Sequence, residues 1–137
     1  MVKVQDLYTF INGEYVTDKD AVIPIHDGGF TRGDAVFDTC RTFRGEIYKL
    51  EEHIDRLFMS LKYMQIESPY NKKELIEFTN KLLELNNHLL TEKDDYWVFL
   101  RITRGSKRTS DGPVIPNVII HCVPLPLAER CEYYKSG

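Results

Sequence analysis

Cysteine is scarce in this sequence: Cys40, Cys122 and Cys131 are the only three in 137 residues, and no Cys-x-x-Cys spacing occurs. An odd, scattered set of this kind argues against a disulfide scaffold and a thiolate metal site, and it fits reduced thiols in a cytoplasmic protein. Long apolar runs are also missing. Nothing approaches the roughly 18–20 residues that span a bilayer, and no basic stretch leads into an apolar one at Met1, so neither a membrane span nor a secretory leader is expected. Charge of one sign is missing too. Lys plus Arg is 18 against 21 for Asp plus Glu, a net charge of −3, too mild to argue for nucleic acid or a membrane surface as partner. There is no repeat and no low-complexity tract. What remains is an ordinary globular balance, 42% hydrophobic and 28% charged, in a length that suits one domain of roughly 100–200 residues.

Turn chemistry and periodicity divide the chain. Asn12-Gly13 between Tyr8-Thr9-Phe10-Ile11 and Tyr15-Val16 predicts a hairpin, because both turn residues accept positive φ. A short apolar strand is predicted over 21–25, running into a Gly-rich bend at Asp27-Gly28-Gly29. A second hairpin is predicted from 35–43 and 46–50 around Arg44-Gly45. In its first arm Phe37 and Thr39 face one side while Val36, Asp38 and Cys40 face the other, and neither side is cleanly apolar, which points to a polar site. Leu50, Ile54, Leu57, Leu61 and Met64 recur at helical spacing, with Glu51 and Glu52 in the first turn and Pro69 beyond the end. A second helix is predicted over 71–87, then a strand over 96–104, a loop over 105–112 and a strand over 118–123. The tail from Pro124 has weaker pattern and reads as a linker leaving the domain. The order ββββ-α-α-ββ predicts an α+β fold, a largely antiparallel sheet with two helices on one face.

Several side chains could carry chemistry. Arg56, between Ile54 and Leu57, reads either as a surface partner of Glu52 one turn back or as an arginine at the core boundary able to grip a phosphate in a bidentate way. Asp34 and Asp38 have no metal spacing and read as surface residues. His26, His53, His88 and His121 are scattered, in no catalytic order. Arg101, Arg104, Lys107 and Arg108 cluster around a Gly turn and read either as a solvated loop or as an anion trap.

These residues also stand in an order that resembles the N-terminal domain of the class IV (fold-type IV) aminotransferases. The matching pieces are Phe10-Ile11-Asn12-Gly13-Glu14, then Asp27-Gly28-Gly29-Phe30 with Gly33-Asp34-Ala35-Val36-Phe37-Asp38, then Gly45-Glu46-Ile47-Tyr48-Lys49-Leu50. Glu52-His53-Ile54-Asp55-Arg56-Leu57 and Arg101-Ile102-Thr103-Arg104-Gly105 follow. The resemblance implies an enzyme that uses pyridoxal 5′-phosphate to pass an amino group between an amino acid or amine and a 2-oxo acid. It implies that Arg56 binds the cofactor phosphate and that Phe37, Arg41, Phe99 and Arg101 line the substrate pocket. It places Arg32 where branched-chain members carry tyrosine, and Lys107 and Arg108 on a loop that takes the substrate carboxylate in D-amino-acid members. It implies a homodimer. Residues 1–125 are then the small domain and 126–137 the link to a second one. No catalytic residue is assigned in this chain, because the Schiff-base lysine of the family belongs to that second domain. The alternatives carried forward are an aminodeoxychorismate lyase-like enzyme and a non-catalytic dimerisation or anion-binding domain.

Overall fold

A computed structural model describes residues 7–89, 95–125 and 127–136 of the chain. Strand β1 (Tyr8–Ile11) turns through Asn12 and Gly13, both at positive φ, into β2 (Glu14–Thr17). A five-residue helix α1 (Gly28–Arg32) precedes β3 (Ala35–Phe43), and the short β4 (Glu46–Ile47) pairs only with Thr42 and Phe43. Helices α2 (Leu50–Met64) and α3 (Lys72–Asn86) follow, then β5 (Asp95–Lys107), β6 (Val114–Leu125) and α4 (Leu127–Ser136). The strands form one antiparallel sheet in the order β2-β1-β6-β5-β3-β4. The α+β expectation holds.

One face of the sheet carries the core. Phe10, Val98, Leu100 and Ile120 point toward Ile54, Leu57 and Leu61 of α2 and Leu75, Leu82 and Leu83 of α3, all buried. Phe10 stacks on Phe78 at 4.5 Å and meets Tyr15 and Tyr70 edge-on. The start of α3 is fixed by a reciprocal cap, in which Asn71 accepts from the Glu74 N–H while Glu74 accepts from the Asn71 N–H.

Three expectations are corrected. Residues 21–25 form no strand; after the 3₁₀ turn Asp18–Asp20 the chain runs irregularly, with Val22 and Ile25 exposed. The second arm of the second hairpin stops at Ile47, because Lys49 takes a left-handed φ of 54° and opens α2 at Leu50. The loop over 105–112 is shorter than composition suggests, since β5 continues to Lys107 across a bulge between Thr103 and Ser106. Gly105 makes that continuation possible: its φ is +80°, and a Cβ there would stand 1.6 Å from the Ile115 carbonyl oxygen. Beyond β6 the tail forms a helix, α4, that the sequence pattern does not announce. It escapes detection because Arg130 to Lys135 are all exposed, so no apolar face marks it.

Candidate functional site

The second face of the sheet is left open by α2 and α3, and the alternation of β3 distributes its side chains between the two faces. Phe37 is 65% exposed on the open face, while its neighbours Val36 and Asp38 are buried on the helix side. The pairing register sets Phe37 against Arg101, Thr39 against Phe99 and Arg41 against Trp97. Four of the expected pocket residues, Phe37, Arg41, Phe99 and Arg101, therefore share one surface. The Arg101 guanidinium stands 5.9 Å from the Phe37 ring centre, and Phe99 stacks on the His121 ring at 4.8 Å. Burial lowers the His121 imidazole below its ordinary value, and the positive charge of Arg101 adds to that. Arg41 lies over the Phe43 ring at 4.0 Å and within 3.7 Å of Asp95.

Arg56 reaches the opposite side of the same strand. Its Nε donates to Asp38 Oδ2 at 2.6 Å and its Nη2 to Asp38 Oδ1 at 2.8 Å. His53, one turn earlier on α2, meets Asp38 Oδ1 through Nδ1 at 2.7 Å. Two expectations change here. Asp38 is a buried acceptor rather than a surface acid, and Arg56 pairs with it rather than with Glu52. The guanidinium itself is not buried either, its side chain being 61% exposed. Burial alone would raise the Asp38 carboxyl, but the hydrogen bonds from Arg56 and His53 and the Arg56 charge outweigh it and hold the carboxyl below the usual range. The Asp38 hydrogen bonds in turn raise the Arg56 guanidinium further.

The pair sits beside a free stretch of sheet edge. β3 pairs with β5 over Ala35 to Arg41, but β4 meets it only at Thr42 and Phe43, and the Tyr48 N–H donates to the Arg41 carbonyl. Among the described residues no strand pairs with the outer edge of β3 over 35–40. A ligand lying along this edge can touch Arg56 on one side and the Phe37 surface on the other.

The remaining cations divide. Arg32, Lys107 and Arg108 line a cavity of about 450 Å³ with His26 and Thr109, a basic pocket at the β5–β6 end of the sheet. Arg104, from the same sequence cluster, borders that cavity but spends its donors elsewhere. Its Nε pairs with Asp34, and Nη2 and Nη1 donate to the carbonyls of Met64 at 2.8 Å and Gln65 at 3.1 Å. It ties the C-terminus of α2 to the sheet and is no anion trap; Asp34 is its partner rather than a surface residue. Sequence reasoning also missed Asp27. That residue is fully buried, accepts from the Gly29 N–H at 2.7 Å and from the Thr103 hydroxyl at 2.6 Å, and holds the Gly28-Gly29 turn against β5 and β6. The position of Asp27 before two glycines was a capping signal of the ordinary kind.

Among the described residues no group of His, Cys, Asp and Glu side chains could hold a metal ion, and no helix is long and apolar enough to cross a membrane. The donor set suits a phosphate: Arg56 Nη1 carries no hydrogen bond among the described residues, and its side chain is exposed.

Residues 35–134 match the amino-transferase class IV family. The chain is 38% identical over 119 residues to a putative branched-chain-amino-acid aminotransferase of Methanocaldococcus jannaschii, covering 86% of this chain and 40% of that protein. It is 44% identical over 78 residues to the aminodeoxychorismate lyase of Bacillus subtilis, covering 57% of this chain and 27% of that protein. It is 37% identical over 107 residues to the D-alanine aminotransferase of Listeria monocytogenes, covering 78% of this chain and 35% of that protein. The chain thus spans 27 to 40% of the length of these relatives. Its fold is shared with the branched-chain amino acid aminotransferase of Escherichia coli, with a TM-score of 0.75 at 24% identity over 88% of this chain and 41% of that one. A branched-chain amino acid aminotransferase solved in complex with N-(5′-phosphopyridoxyl)-L-glutamate has the same fold. There the TM-score is 0.73 at 20% identity, again over 88% of this chain and 41% of that one.

Proposed function

This chain belongs to the class IV aminotransferase family, and on that premise we propose that it is the small N-terminal part of a pyridoxal-phosphate-dependent enzyme that passes an amino group between an amino acid and a 2-oxo acid. Bound cofactor supplies the electron sink for proton transfer at the substrate carbon. This chain's residues bind and orient. Arg56 takes the cofactor phosphate. Phe37, Arg41, Phe99 and Arg101 form the substrate surface, and Arg32, Lys107 and Arg108 supply positive charge for a substrate carboxylate. The observation that carries this reading is the guanidinium of Arg56, held by Asp38 beside the free edge of β3, with the Phe37 surface on the other side of the same strand.

The small domain ends near Leu125, where β6 stops, and 126–137 lead toward a second domain. A homodimer is supported by the exposed Val22, Ile25 and Phe30 before β3, and a cytoplasmic location by three unbridged cysteines. An aminodeoxychorismate lyase-like activity is the second reading, resting on the 44% identical relative.

The test is made on the intact protein. Arg56→Gln lowers affinity for pyridoxal phosphate by roughly 10–100-fold, the worth of a charge-assisted hydrogen-bond pair, as read by equilibrium dialysis. Equal affinity in the two proteins would remove Arg56 from the cofactor site. Amino transfer to 2-oxoglutarate or pyruvate, against pyruvate release from aminodeoxychorismate, separates the two activities.

A further inference from the structure

Asp38 belongs to neither side of the reaction as assigned so far, yet its geometry is the most fully determined in the site. The carboxylate is closed to solvent, its side chain 4% exposed, while the guanidinium that it holds is open. Both oxygens are engaged: Oδ2 accepts from Arg56 Nε, and Oδ1 accepts from Arg56 Nη2 and from His53 Nδ1 at 2.7 Å. A carboxylate can only accept, so Nδ1 of His53 carries the proton in this contact. Two parallel bonds to a planar guanidinium fix its plane as well as its position. The bonds use the Nε–Nη2 side of the fork and leave Nη1 directed away from the strand.

A long arginine side chain surrenders rotamer freedom when it grips a ligand. Here a carboxylate rooted in a sheet strand, cross-braced by a histidine from the next element, has fixed that side chain in advance. We propose that Asp38 is a positioning residue for anion capture: with His53 it aims the Nη1 group of Arg56 at the phosphate. The inference rests on the reading that Arg56 holds a phosphate.

Simple electrostatics forecasts the reverse outcome, and this gives the proposal its test. A carboxylate close to an anion site repels the anion, so cancelling its charge should tighten binding. Positioning forecasts loosening. The probes are pyridoxal 5′-phosphate and pyridoxal, which differ only in the phosphate, and the readout is the ratio of their affinities for the intact protein. In Arg56→Gln this ratio falls at least tenfold; in Asp38→Asn it falls about tenfold despite the lost negative charge, and Asp38→Glu restores part of it. Affinity for pyridoxal itself stays within about twofold in all three. An unchanged ratio in Arg56→Gln would sink the reading of Arg56. A fall in Arg56→Gln with an unchanged or higher ratio in Asp38→Asn would sink the proposal alone. Should Asp38→Asn not fold, the unsubstituted chain decides: its Arg56 Nε–H is protected from solvent exchange in ¹⁵N NMR without any ligand. Exchange as fast as that of the exposed Arg44 would overturn the positioning role.

Discussion

His121 stands in the open face with its ring stacked on Phe99 and the charge of Arg101 beside it, and both burial and that charge favour the neutral imidazole. The consequence for stability has a definite sign. A histidine lowered in the folded state binds fewer protons there than in the unfolded chain, so its contribution is complete above the unfolded value near 6.5 and is lost as the pH falls below it. The thermal midpoint therefore declines from pH 7 to pH 5, and His121→Gln flattens the decline; an equal slope in both proteins would remove His121 as its source. Asp38 acts in a lower window. Its depressed carboxyl stabilises the fold above the ordinary carboxylate range, and that stabilisation is lost as the pH falls through and below it. Arg56 was visible in the sequence as a cation between Ile54 and Leu57. Its partner was not, since the Asp38 contact joins a strand to a helix 18 residues on and no periodicity marks such a pairing.

At the scale of elements, α2 and α3 were readable from helical spacing, because helix signals are local. Helix α1 was not. Five residues cannot hold a helix alone; what holds α1 is Asp27, whose partners Thr103 and Asn117 lie 76 and 90 residues away. Asp27→Ala removes the cap and leaves the Thr103 hydroxyl and the Asn117 amide in a buried site without their acceptor. The expected cost is about 2–4 kcal/mol in urea unfolding, the sum of a lost cap and buried groups left unpaired. A cost below about 0.5 kcal/mol would mean that water replaces the carboxylate. The extension of β5 past Gly105 escaped for a related reason, since a bulge is set by the neighbouring strand and a Gly-Ser-Lys-Arg composition reads as loop.

In the whole molecule, the two-layer arrangement puts two of the three thiols inside. Cys40 and Cys122 lie in the core beneath the helices, and burial pushes each thiol up to about 12. Cys131 on α4 is exposed. A disulfide reagent at neutral pH modifies one thiol quickly and the other two only as fast as the core opens, so their rate reports cooperative unfolding. Three fast thiols would contradict the layering. The same layering explains how far the fold could be read: the face toward the helices is coded by alternation, whereas the open face mixes Phe37, Thr39, Arg41 and Arg101 and carries no apolar code.

Strand β3 constrains how this chain can vary. Its odd-numbered residues Phe37 and Arg41 serve the open face, and its even-numbered Asp38 serves the guanidinium on α2. The strand thus holds two interleaved messages in a single reading frame. A residue gained or lost between Ala35 and Arg41 would exchange the messages, turning the aromatic toward the helix and the acid toward the open face. A substitution there alters one face at a time, whereas a change of length disturbs both.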